Sequence, residues 1–222
     1  MKRKSVRVLV AVFAVVIILV LAAMIRLHIK TDRINNDYSS VFSNEKYLSP
    51  VSVEGVEAIT QDVSCGYAVI EMFSSWSHGD ITEEKLYADY GKVVTSTGSK
   101  FCEEMNRQFP MYHTSVRKWM TNTELIDIIH STLSKGIPVP IEWAALYGDE
   151  WTLHYSLVTA VDIPNNMIMI ANPYGYYEEL TIDEFISRTT FEAYENMPVF
   201  LKLGFAFGIF EKNTVFIPEY AL

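Results

Sequence analysis

From Val8 to Ile25 the chain runs for 18 residues without a glycine, a proline or a charge. As a helix at about 1.5 Å per residue, such a run nearly matches the ~30 Å hydrocarbon core of a bilayer, and a small domain has no interior large enough to hide it. Lys2, Arg3, Lys4 and Arg7 precede it. The run exceeds the ~7–15 apolar residues of a secretory signal core, and Ala22-Ala23 leads into Met24-Ile25 rather than a polar mature start. An uncleaved anchor, contacting lipid through residues 8–25, is therefore the expectation, with a secreted, signal-cleaved protein as the alternative. The basic start places the amino terminus in the cytoplasm and the rest outside, partly offset by Arg26, Lys30 and Arg33. The layout this predicts is a membrane anchor with basic flanks over residues 1–33, a polar tether over 34–46 and one domain over 47–222.

Charge narrows the partners. From residue 34 onward there are 11 basic and 26 acidic side chains, a net charge of −15, which suits no nucleic-acid surface and reads most simply as a solvated acidic exterior. No Cys-x-x-Cys or His-Glu-x-x-His pattern occurs, and His28, His78, His113 and His130 are scattered, so no metal is expected. Neither glycine-rich nucleotide fingerprint is present, and no cofactor is expected. The two cysteines, Cys65 and Cys102, allow one disulfide, but Cys102 sits in the helical stretch Lys100–Met105 and reads as packing.

The chemistry concentrates in Gln61-Asp62-Val63-Ser64-Cys65-Gly66-Tyr67-Ala68. A cysteine at a helix start meets unpaired N–H groups and the positive end of the macrodipole, and a glutamine four residues upstream can present an amide donor beside it. A packed cysteine explains Cys65 taken alone. Farther on come Lys135-Gly136-Ile137-Pro138, then His154-Tyr155-Ser156-Leu157-Val158, which opens an apolar strand, then Ala171-Asn172-Pro173-Tyr174-Gly175. A nearby imidazolium and a helix N-terminus lower a thiol pKa by several units, so a thiolate–imidazolium pair is the predicted resting state. Asn172 also suits a turn opener, and Asp162, the competing third residue, reads as a turn or cap residue.

This succession resembles the C39-like cysteine peptidases of the papain-like superfamily, over about residues 47 to 190. The resemblance implies Cys65 as nucleophile, His154 as general base and acid, Asn172 as the residue orienting the imidazole, Gln61 as oxyanion donor, and a peptide or protein substrate. One departure stands out. The family often carries Asp before the proline, whereas Asn172 is papain's choice, so orientation is kept and imidazolium stabilisation is weaker. An Asp at 172 is expected to serve within about tenfold, or about 1.4 kcal/mol of barrier. A catalytically silent peptide-binding module and a thiol amidase or acyl-transferase fit the same residues.

Periodicity and punctuation predict the elements. Helices are expected over Cys65–Trp76, Ile81–Tyr90 capped by Asp80, Ser99–Phe109, and from a Thr121/Glu124 capping box to Gly136, with a short one opening at Thr181/Glu184. Strands are expected over Pro138–Trp143, His154–Asp162 and Met167–Asn172. Ala144–Thr152 reads as a loop walling a cleft with Tyr147 and Trp151, and Leu203–Phe210 and Thr214–Ile217 read as closing strands. Helices first and an antiparallel sheet second make the fold class α+β, of papain-like form with one N-terminal transmembrane helix.

Overall fold

The computed structural model describes residues 2–91 and 97–221, and begins with one long helix, α1 (Lys2–Ile34). Among the described residues, α1 is the one helix long and apolar enough to cross a membrane, with a mean hydropathy of 3.4 over its most apolar stretch, all of it unburied. Residues 34–46, expected as a polar tether, lie against the domain instead. Ile34 and Val41 are buried, as is Tyr47 directly after the segment, Tyr38 donates to Asp183 at 2.5 Å, and Asn36 donates to Thr123 at 2.9 Å. The cause is spacing: an apolar side chain recurs every few residues in a segment whose average is polar, and each one is buried as a separate anchor.

The two-residue strand β1 (Val51–Ser52) leads to α2 (Cys65–Trp76), which begins at Cys65 as the sequence predicts because the Ser64 Oγ accepts the Tyr67 N–H. α3 (Glu83–Tyr90) starts later than expected. Its cap is Thr82, whose Oγ1 accepts the Lys85 N–H, while Asp80 is spent on an ion pair with the Lys85 ammonium. α4 (Gly98–Gln108) and α5 (Asn122–Leu133) lie where periodicity puts them, and the Thr121/Glu124 capping box is formed in both directions.

The remaining strands are β2 (Tyr112–Arg117), β3 (Val139–Tyr147), β4 (Glu150–Asp162), β5 (Met167–Asn172), β6 (Tyr176–Leu180) and β7 (Thr214–Tyr220). They form an antiparallel sheet in the order β2-β7-β3-β4-β5-β6, with β1 added on β4. Ala144–Thr152 is not a loop. Ala144↔Leu153 and Leu146↔Trp151 continue the β3–β4 ladder to a two-residue turn at Gly148-Asp149, where Gly148 takes φ +58°. The whole arrangement is α+β, as the sequence predicts.

Two helices complete it, α6 (Ile182–Thr189) and α7 (Val199–Phe207). α7 replaces the strand expected over Leu203–Phe210. Leu201, Gly204 and Phe205 are buried at helical spacing, and Gly204 lets the Phe210 ring approach so closely that a Cβ there would stand 2.5 Å from it. Gly208, left-handed at φ +76°, ends the helix. Apolar residues on both faces had hidden the 3.6-residue period.

Candidate active site

Cys65 heads α2, half-buried, and its approach is fixed by one side chain from the next helix. The Glu83 carboxylate accepts three successive loop N–H groups, from Asp62 at 3.1 Å, Val63 at 2.8 Å and Ser64 at 3.1 Å. Glu71 in turn accepts the Glu83 N–H at 2.7 Å, which ties the start of α3 to the middle of α2. These donors precede a helix start and would otherwise have no partner, so the buried carboxylate both satisfies them and sets the loop. The backbone N–H groups of Tyr155, Gly66 and Cys65 itself favour the thiolate form of Cys65. α2 packs against β4, the strand that carries His154.

His154 sits on β4 opposite Trp143 and is buried, with its Nε2 3.0 Å from Asn172 Oδ1. Tyr174 stacks on the imidazole, with ring centroids 4.3 Å apart and planes inclined by 20°. Asn172, fully buried at the end of β5, also accepts the Tyr174 N–H at 3.1 Å on Oδ1 and donates from Nδ2 to Glu178 Oε2 at 2.9 Å. Glu178 is paired with Arg188 on α6 at 2.6 Å, and Arg188 reaches Glu184 at 2.6 Å while lying over the rings of Trp143 and Trp151. A carboxylate only accepts, so the amide nitrogen of Asn172 faces Glu178 and its oxygen faces the imidazole. Nε2 of His154 is therefore the N–H nitrogen, and Nδ1 carries the lone pair of the neutral ring.

Gln61 is held through its backbone. Its N–H donates to the Pro173 carbonyl at 2.7 Å, and Thr60 bridges to Tyr174, so the Gln61 loop is stitched to the Asn172 turn. Its side-chain oxygen is buried without a hydrogen-bond partner among the described residues. The structure thus joins His154 to Asn172 directly and Gln61 to the same turn by main chain, and it packs the helix that Cys65 heads against β4. Among the described residues no hydrogen bond joins Cys65 to His154.

Burial governs the charge states. It pushes the Cys65 thiol up to about 11, against the pull of the Tyr155 and Gly66 N–H groups. It pushes His154 down to about 4, opposed by the Asn172 hydrogen bond. Both shifts favour a neutral thiol and a neutral imidazole at rest, the opposite direction to the thiolate–imidazolium pair expected from the sequence. Removing both charges from water outweighs the helix N-terminus at this site. Glu142, directly across β3–β4 from Tyr155 and almost fully buried, is likewise raised to about 8 by burial. Its carboxyl sits against the first turn of α4, where a Cβ on Gly98 would come within 3.2 Å of it, and both oxygens lack partners among the described residues.

No protein-family model matches the sequence, and no curated protein matches it. Among solved structures the chain is similar to a double glycine motif protease from an AMS/PCAT transporter in complex with the leader peptide. That likeness has 12% sequence identity and a TM-score of 0.48, and covers 77% of this chain and 99% of the other. The arrangement of helices and antiparallel sheet rests on the described elements themselves.

Other residues singled out in the sequence have structural roles. Cys102 is free and buried, its thiol 3.2 Å from the Thr114 carbonyl, and no disulfide links it to Cys65. Asp162 closes the β4–β5 turn by accepting from the Asn165 N–H. Tyr147 is exposed and leans on Tyr174, whereas Trp151 packs beside Arg188 and Tyr194. Among the described residues no cluster of three or more His, Cys, Asp and Glu side chains is arranged to hold a metal ion.

Sequence reading missed Glu83, Tyr174, Glu178 and Arg188. A signal for two of them was present. Asn172 faces Tyr176 across the β5–β6 hairpin, which puts Glu178 one diagonal step away on the same face, and Glu184 and Arg188 are four apart on α6. β6 is not among the strands expected from the sequence, and without it the diagonal has no second strand.

Proposed function

We propose that this chain is a membrane-anchored thiol peptidase, with residues 1–33 as anchor and 47–222 as a C39-like peptidase domain outside the cytoplasm. The observation that carries this reading is the 3.0 Å contact between His154 Nε2 and Asn172 Oδ1, beside a cysteine that starts a helix. In the reaction, Nδ1 of His154 takes the Cys65 proton as the sulfur attacks the substrate carbonyl, so charge develops only as the S–C bond forms. The oxyanion is met by the Gln61 amide N–H. The imidazolium, steered through Nε2–H by Asn172, returns the proton to the leaving amine as the C–N bond breaks. Water, deprotonated by the same imidazole, then cleaves the thioester and releases the acid and the thiol.

A second reading is a catalytically silent peptide-binding module, favoured because among the described residues His154 is hydrogen-bonded to Asn172 and not to Cys65; a thiol amidase or acyl-transferase uses the same steps on another acyl donor. Turnover of unstructured peptides separates them. Cys65→Ala and His154→Ala should abolish cleavage, and Gln61→Ala should slow it about a hundredfold to a thousandfold. Wild-type protein that binds peptides, cleaves none and loses nothing on Cys65→Ala is the binding module.

A further inference from the structure

α1 does not leave the membrane and then meet the domain at a distance. Along α1 the exposure drops at Val20, Ala23, Leu27, Lys30 and Ile34, a stripe at three- to four-residue spacing that begins inside the apolar run. The element packed on α1 is α7, and Arg26, Leu27 and Lys30 line a small crevice with Phe205, Ala206 and Gly208. Leu27 is two residues past Ile25, or about 3 Å along the helix axis. Where residues 8–25 fill the hydrocarbon core, α7 lies in the headgroup layer.

The outward side of α7 has the composition that this place requires. Val199 and Phe200 are 71% and 69% exposed, and Phe207 and Ile209, in and just after its last turn, are 51% and 56% exposed. A surface helix of a water-soluble face carries polar residues there. Between Glu195 and Glu211 there is no acidic residue and one basic one, Lys202, in a domain that is otherwise strongly acidic. Apolar and aromatic side chains with a lysine able to snorkel are what an interfacial helix presents to phospholipid.

We infer that α7 is a second membrane contact: Val199, Phe200, Phe207 and Ile209 insert into the headgroup–acyl boundary of the bilayer that α1 crosses, holding the domain down against the lipid. This rests on the anchor reading of α1. The test uses the full chain carrying Cys65→Ala, one copy per lipid nanodisc, with a nitroxide on Phe200→Cys or Ile209→Cys; Cys102 is buried and stays unlabelled. Ile17→Cys, within the apolar run, serves as the lipid reference, and Met111→Cys, in an exposed turn, as the water reference. Collision with oxygen should exceed collision with a water-soluble nickel chelate severalfold at 200, 209 and 17, and the order should reverse at 111. Lipid-like behaviour at 17 with water-like behaviour at 200 and 209 overturns the second contact and leaves the anchor standing. Water-like behaviour at all four overturns both. A lipid-like signal at 200 and 209 that appears only with two copies per disc assigns the face to a second chain and overturns the lipid contact.

Discussion

Asn172 Nδ2 stands 2.9 Å from Glu178 Oε2, and this contact explains why position 172 is an amide. An aspartate there would set two carboxylates face to face in a buried place, where like charges repel strongly. Arg188 pairs with the far oxygen of Glu178, so the amide alone meets the near one.

Asn172→Asp is therefore expected to lose at least about tenfold in kcat/KM, about 1.4 kcal/mol, and to lower the melting temperature. This reverses the expectation from sequence, which had Asp as a tolerated exchange. Glu178→Gln in the same molecule should restore much of both, because the glutamine amide donates to the new carboxylate. A double-mutant cycle on melting temperature and kcat/KM reads the coupling. A fully active, equally stable Asn172→Asp protein would falsify the assignment.

Arg188→Met is expected to destabilise the fold by about 3–5 kcal/mol, since it leaves the mostly buried Glu178 without its cation. Chemical denaturation of the full chain in detergent measures this. A loss under ~1 kcal/mol, the range of an exposed pair, would mean that Glu178 finds water instead.

Alkylation tests the charge state at rest. With burial holding the Cys65 thiol up to about 11, iodoacetamide labelling of native protein should be slow near pH 6 and climb continuously through about pH 9. Peptide mass spectrometry should find Cys65 modified ahead of Cys102, which is more deeply buried. Fast labelling that is flat between about pH 5 and 9 is the mark of an ion pair and contradicts the neutral resting site.

Glu142 gives stability a pH dependence of predictable sign. Its folded pKa, about 8, lies above its ordinary 4.5, so the folded state holds a proton that the unfolded chain releases. The stability this represents is full below about pH 4.5 and is lost as pH rises through about 8. Glu142→Gln removes the dependence. Its melting temperature should match wild type near pH 4 and exceed it near pH 8.5 by about 2–4 °C for each kcal/mol recovered, for a chain of this size. An equal shift at both pH values would show that the carboxyl is not titrating.

Much was legible in the sequence wherever the physics is local. The apolar run from Val8, the helix start at Cys65, the Thr121/Glu124 box and the apolar runs of β4 and β5 each depend on residues a few positions apart, and the structure places those elements where expected. Local reading failed where both faces of an element are apolar, as in α7, and where a polar average hid single anchors such as Val41 and Tyr47. What only the tertiary structure decided is the electrostatics of the site. Cys65, His154 and Asn172 are visible as residue types, but their charge states come from burial, and burial is set by strands and helices distant in sequence. The same holds for the chain from Asn172 through Glu178 to Arg188, which exists because a hairpin and α6 bring three polar groups together where water cannot replace them.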